Sequence, residues 1–422
     1  MSCFSEIYEQ CKGYVELYEG IESLNAPIGA VGLPDINKVH TVHSLCEKLN
    51  KKAFVITPDE ASAVRFYENL SVFQKGVLLY PKREFTFLEV EGISREYEQI
   101  RLGVLSRIID GNYSAVVMSA AAACQLTMPP QALKQRSFKI SPGDEVDLDN
   151  ITERLVKAGY SRFDQVEGTS QFAVRGGLID IFSPGSDEPV RIELWGDTVD
   201  SITSFDIATQ RRNEMVEEIQ IIPATEVLFD SKQEQAKKID TLAATLKGKA
   251  IKAREKLYDD SEKLKQGIGL RCNDKYLPLA YNSKGIFDYA EGMLFVCETS
   301  KVKEKHINQV KLLNEEIKWL LDDGSLCKGI DKFMLDFNEL CGEYESNNAI
   351  YLDSLPRGSF DTPVRQLSNF VCQSFNAWSG TLSQLKDELF PLLKTGYSVA
   401  IMAGTARAGR ALANDICDMG YD

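Results

Sequence analysis

Arg175 and Arg191 sit within residues 172–195, whose residue types alternate as those of a β-strand do. Read as one extended run, residues 172–182 put Phe172, Val174, Leu178 and Phe182 on one face and Ala173, Arg175, Ile179 and Ile181 on the other. After the turn-rich residues 183–187, Val190, Ile192 and Leu194 alternate with Arg191, Glu193 and Trp195. Guanidinium groups beside apolar residues suit the recognition of another protein. Their planar fork holds a carboxylate bidentately and keeps its charge when water is excluded. An ordinary solvated β-meander would show the same alternation. Asp180 and Glu193 offer carboxylates for acid–base work, but Arg175 and Arg191 lie close in the meander and more simply neutralise them.

A second constellation is residues 32–39, Gly-Leu-Pro-Asp-Ile-Asn-Lys-Val, placed after a short strand and opening a helix. A phosphate-binding loop reads G-x-x-x-x-G-K-[ST] there: backbone N–H groups wrap phosphate, Lys meets its charge and the hydroxyl ligates Mg²⁺. Gly32 and Lys38 are in place, but Asn37 replaces the second glycine and Val39 the hydroxyl. Pro34 removes a donor and Asp35 adds charge of the wrong sign. The loop reads as degenerate. His40 and His43 are three apart, as metal ligands on a helix are, but no carboxylate or cysteine cluster completes a shell. Residues 404–410 carry glycine and open a helix, a weak pattern for an anion and an ordinary one for starting a helix. No G-x-S-x-G occurs, and three histidines give no Cys–His–Asp set.

These residues need a scaffold. Over residues 1–128, strands such as Ala53–Thr57 and Ala115–Ser119 alternate with amphipathic helices, which predicts a parallel sheet covered on both faces. Pro129-Pro130 opens a β-rich module over residues 129–224, in which Gly196-Asp197 suits a two-residue hairpin turn. Residues 225–346 begin with charged helical sequence and return to βα material that completes the first sheet, making the module an insertion. A small α/β domain is expected over residues 347–422, including a strand near 399–403. The chain stops directly after a helix, as a piece of a longer protein would. With 422 residues, several domains are expected. A net charge of −14 disfavours nonspecific grip on nucleic acid. Ten scattered cysteines without C-x-x-C spacing fit reduced thiols. No signal core or membrane-length run occurs, so a cytoplasmic protein with no membrane partner is expected.

Tyr160-x-Arg162, Arg175 thirteen residues on, V-R-G-G-L-I-D-I-F, R-I-E-L-W-G-D and F-D-x-x-T-Q-R together resemble the module shared by UvrB repair proteins and transcription-repair coupling factors. The match covers about fifty contiguous residues, with weaker similarity over most of the chain. The resemblance implies a RecA-like, UvrB-like α/β domain and a module that docks on UvrA. Arg162 and Arg175 match the family's contact positions and are expected to point from one outer face of the module. We add Arg191 from its expected outward face and Ile179 as an apolar contact, with Phe182 packed inward. Where UvrB carries a further arginine, this chain has Ala173.

UvrB also carries an intact nucleotide loop and an aromatic β-hairpin, and the sequence after Tyr80 leaves no room for the latter. The similarity is therefore to the N-terminal part of the coupling factors, a docking platform with no cofactor and no catalysis of its own. The resemblance implies that the family's remaining part contacts RNA polymerase and drives along double-stranded DNA with ATP and Mg²⁺. A UvrB-type ATPase for damage verification is the alternative from another class, and an autonomous DNA-binding module a third.

Overall fold

The computed structural model describes residues 3–23, 27–89, 94–282, 284–289, 292–372, 381–397, 399, 401 and 405–420. The chain divides after Cys372 into two units.

The first unit begins α1 (Cys3–Tyr8), α2 (Lys12–Ser23), β1 (Ile28–Val31), α3 (Asp35–Leu49), β2 (Ala53–Thr57), α4 (Glu60–Phe73), β3 (Val77–Tyr80), α5 (Glu96–Ile109) and β4 (Ala115–Ser119). Helices α6 (Ala120–Cys124) and α7 (Pro130–Arg136) lead to β5 (Phe138–Ile140) and α8 (Leu148–Lys157). Then come β6 (Ser161–Arg162), β7 (Gln171–Arg175), β8 (Leu178–Ile181), β9 (Val190–Trp195), β10 (Thr198–Phe205), β11 (Arg212–Met215) and β12 (Ile219–Ile221). Helices α9 (Lys232–Thr245), α10 (Ile251–Lys265) and α11 (Leu277–Ala280) precede β13 (Met293–Cys297), α12 (Thr299–Asp323), α13 (Phe337–Ser346), β14 (Ile350–Asp353) and β15 (Gln366–Asn369). The second unit contributes α14 (Leu382–Lys394) and α15 (Ala406–Asp418).

Seven strands form one parallel sheet, ordered β15-β1-β14-β13-β2-β4-β3. Alternation inside each strand divides the core between its faces. Phe54, Ile56, Val116, Met118, Leu294 and Val296 pack with α5, α7 and α13 on one side. Val55, Val117 and Phe295 pack with α2, α3 and α4 on the other. Burial on both faces explains why these strands read as unbroken apolar runs. Strand β14 corrects the expected domain boundary at residue 347. Ile350 pairs with both Ile28 and Phe295, so this segment lies inside the main sheet and opens no separate domain. A four-residue strand carries no mark of which sheet it joins. The strand expected near 399–403 includes residues outside those described.

Between β4 and β13 the chain builds a six-stranded sheet, β11-β10-β9-β8-β7-β6, and the ribbon β12-β5. Phe172, Ile179, Ile181, Ile192 and Ile202 close one face against Ile151 and Leu155 of α8 and Ile140, Ile219 and Ile221 of the ribbon. Both chain crossings, Met128 and Leu133 on the way out and Ile222 on the way back, join the same core as the large sheet. A Cβ added to Gly103 of α5 would come within 2.7 Å of Gly185 Cα, so helix and module meet backbone to backbone.

A sealed ionic cluster fixes the return crossing. Arg101 Nε donates to Glu226 Oε1 at 2.7 Å, and Arg101 Nη1 to Gln125 Oε1 at 3.0 Å. Arg83 Nη1 donates to Asp274 Oδ1 at 3.1 Å, while Glu98 Oε1 accepts from the Glu226 N–H at 2.7 Å. Buried charges persist only when paired in this way. Helices α9, α10 and the far half of α12 form a further core with Tyr276 and Phe333. No described helix is long and apolar enough to cross a membrane.

Candidate protein-binding face

The β7–β8 connection is a two-residue hairpin at Gly176-Gly177, because Arg175 pairs with Leu178. Gly176 has φ +60°, a backbone region that glycine enters at least cost. The hairpin folds Ile179 back beside Val174 and Ile181 beside Phe172. The single extended run expected over residues 172–182 is therefore corrected, and the face of every residue after the turn is exchanged. Ile179 is fully buried in the α8-facing core and cannot serve as an apolar contact. Phe182 does pack inward, in a small core with Val166, Ala173 and Phe205 on the other face.

On that second face the side chains form a chain of contacts from core to solvent. The Arg191 guanidinium carbon lies 4.8 Å from the centre of the buried Phe205 ring, a cation–π contact. Arg191 Nε and Nη2 donate to the two oxygens of Asp180 at 2.7 and 2.8 Å. Asp180 is 1% exposed, and its Oδ2 also accepts from Arg175 Nη2. Arg191 thus turns to Asp180, correcting its expected outward pose, whereas the Arg175 side chain stays 46% exposed. Asp180 is thus neutralised by Arg175 and Arg191, as their closeness in the meander led us to expect. Glu193 pairs with Arg212 and not with the nearer-numbered arginines. Trp195, two residues beyond Glu193, is 83% exposed at the β9–β10 turn. Its place on this face was legible in the alternation Arg191, Glu193, Trp195.

Arg162 is exposed on the edge strand β6, paired with Phe172 in parallel register. That register assigns it the face opposite Arg175, which corrects the single outer face expected for the pair: the two arginines flank β7 from different sides.

The loop after β1 is closed from within. Gly32 has φ +84°, and a Cβ there would meet the Phe370 carbonyl oxygen at 2.1 Å. Lys38 is buried, and its ammonium donates to Asp35 at 2.9 Å, to Ser354 Oγ at 2.8 Å and to the Glu298 carboxylate. An ammonium has three N–H donors, and all three are used. Burial alone would raise the Glu298 carboxyl; Lys38 and Ser354 outweigh it and hold the carboxyl down to about 2. Val39 faces the core, and the Asn37 carbonyl accepts from Tyr8 Oη at 3.2 Å. His40 stacks on Tyr8 at 4.2 Å and His43 bonds Gln74 at 3.0 Å. In the 404–410 stretch Gly404 lies outside the described residues, and Thr405 caps α15 by accepting from the Ala408 N–H at 3.1 Å.

The family described as "UvrB interaction domain" matches residues 138–227, from β5 to just past β12. The transcription-repair-coupling factor of Bacillus subtilis (strain 168) is 30% identical over 392 residues, 90% of this chain and 33% of the relative. That of Haemophilus influenzae is 31% identical over 192 residues, 45% of this chain and 17% of the relative. The UvrABC system protein B of Thermosipho africanus is 26% identical over 242 residues, 54% and 36% of the two chains. The chain thus spans about a third of the length of the curated relatives it matches, or less. By these matches the chain corresponds to the N-terminal, UvrB-like region of the transcription-repair coupling factors and carries a UvrB interaction domain.

Proposed function

We propose that this chain is a docking platform that recruits UvrA to transcription-coupled excision repair. The observation that carries this is the Arg175 face of the domain at residues 138–227. Arg175 gives one N–H to Asp180 and remains 46% exposed, with Trp195 open on the same face. Arginine and tryptophan are the residue types that dominate binding energy in protein interfaces. Arg162, on the β6 edge, completes the contact set if UvrA sits across the β6–β7 edge and reaches both arginines. The module is an insertion in a UvrB-like domain whose nucleotide loop is degenerate. Lys38, fully occupied by Asp35, Glu298 and Ser354, supports a non-catalytic role over a UvrB-type ATPase. Contacts with RNA polymerase and double-stranded DNA, and an ATP- and Mg²⁺-dependent motor, belong in this proposal to regions outside the matched third of the relatives. The test is a titration of the 422-residue chain with purified UvrA. Saturable 1:1 binding that raised salt weakens supports the reading; no binding at micromolar concentrations overturns it.

A further inference from the structure

Resting on that docking reading, we infer that Asp180 is a positioning residue: it does not meet the partner but holds Arg175 ready for it. Asp180 is sealed from solvent, and two cations converge on its one carboxylate. Arg191 occupies both oxygens and is itself fixed by stacking on the buried Phe205 ring. The inner end of the chain of contacts is therefore rigid. Arg175 gives Asp180 only Nη2, so Nε and Nη1 make no hydrogen bond among the described residues. Two positive charges against one negative leave the cluster net cationic, and the surplus lies on the outer member. An arginine free in solvent loses its rotamer freedom on binding; one already held does not. Glu193, the other carboxylate on this face, is engaged by Arg212 and leaves Arg175 to Asp180.

The test is a double-mutant cycle on UvrA binding by the full chain, with Asp180→Asn, Arg175→Ala and the pair. Asp180→Asn alone is expected to weaken binding about 2- to 10-fold, the cost of ordering one long side chain at an interface. Arg175→Ala is expected to weaken it at least tenfold, and adding Asp180→Asn to Arg175→Ala should change nothing more. Equal losses from Asp180→Asn in both backgrounds would mean a merely structural role and overturn the inference. So would full affinity of Asp180→Asn while Arg175→Ala binds weakly. Full affinity of Arg175→Ala overturns the docking reading, and the positioning role falls with it. A readout independent of partner and variant is the ¹⁵N guanidinium spectrum of the unaltered chain. Slowed rotation about the Arg175 Cζ–Nη bonds is expected; an averaged, freely rotating signal would overturn the proposal even if Asp180→Asn failed to fold.

Discussion

Arg101 Nε lies 2.7 Å from Glu226 Oε1 with both side chains sealed from water, so α5 is tied to the chain just after it leaves the β5–β12 ribbon. Removing Arg101 leaves the buried Glu226 carboxylate to Arg83 Nε, 3.4 Å away, which already serves Asp274. Arg101→Met is expected to lower unfolding free energy by about 3–5 kcal/mol, read from urea denaturation. Replacing Arg101 and Glu226 together by Met and Leu should restore part of that loss. A single variant as stable as the unaltered chain would show that water reaches the cluster.

The exposed arginines and tryptophan should affect binding without affecting folding. Arg175→Ala and Trp195→Ala are expected to weaken UvrA affinity by roughly 1–4 kcal/mol each, with unchanged thermal midpoints. Arg162→Ala should do so only if the partner spans the β6 edge, so it reports the footprint. Ile179→Ala should instead destabilise the module by about 2–5 kcal/mol, as a buried aliphatic does.

Mg-ATP added to the chain should give no heat in calorimetry, because Lys38 has no donor left for a phosphate. The same site has a pH signature. Glu298 is held below its ordinary 4.5, down to about 2, so its contribution to stability is complete above 4.5 and is lost as pH falls towards 2. Glu298→Gln should flatten the acid limb of stability between those values, measured by urea midpoints at successive pH. An unchanged acid limb would show that Lys38 is not the partner in solution.

Gly103→Ala tests the backbone contact between α5 and the module. The new methyl would meet Gly185 Cα at 2.7 Å, and backbone yields less readily than a side-chain tip. About 1–3 kcal/mol of destabilisation is expected from thermal unfolding. Gly176→Ala should also cost stability, through its φ of +60° and not through a clash, since nothing lies near its added Cβ.

How far the sequence revealed this depended on the range of the interaction concerned. The β9–β10 turn at Gly196 was legible because flanking alternation brackets it. The Gly176 turn was not, since alternating apolar residues continue through it and hide the change of face. Lys38 was found, but its partners Glu298 and Ser354 arrive from strands remote in sequence. Asp180 was matched to Arg175 and Arg191 because all three lie in one meander, whereas Glu193 takes Arg212, which strand β11 brings from further along the chain. The segment holding β14 was placed in a separate domain from residue 347, because only pairing decides which sheet a strand joins.

Strand β1 has only two neighbours in its sheet, β14 and β15. During synthesis, Ile28–Val31 therefore has no strand to pair with until residues 350–369 have left the ribosome. At ~5–20 residues per second that is a wait of tens of seconds with an apolar strand unpaired on both edges. The module at residues 138–227 draws its strands from its own stretch of chain and has no such wait. It is expected to acquire protease resistance on nascent chains while the large sheet is still open, so the docking surface would mature before the body that carries it. Chains arrested before residue 350 should accordingly engage chaperones through β1 while the module is already folded.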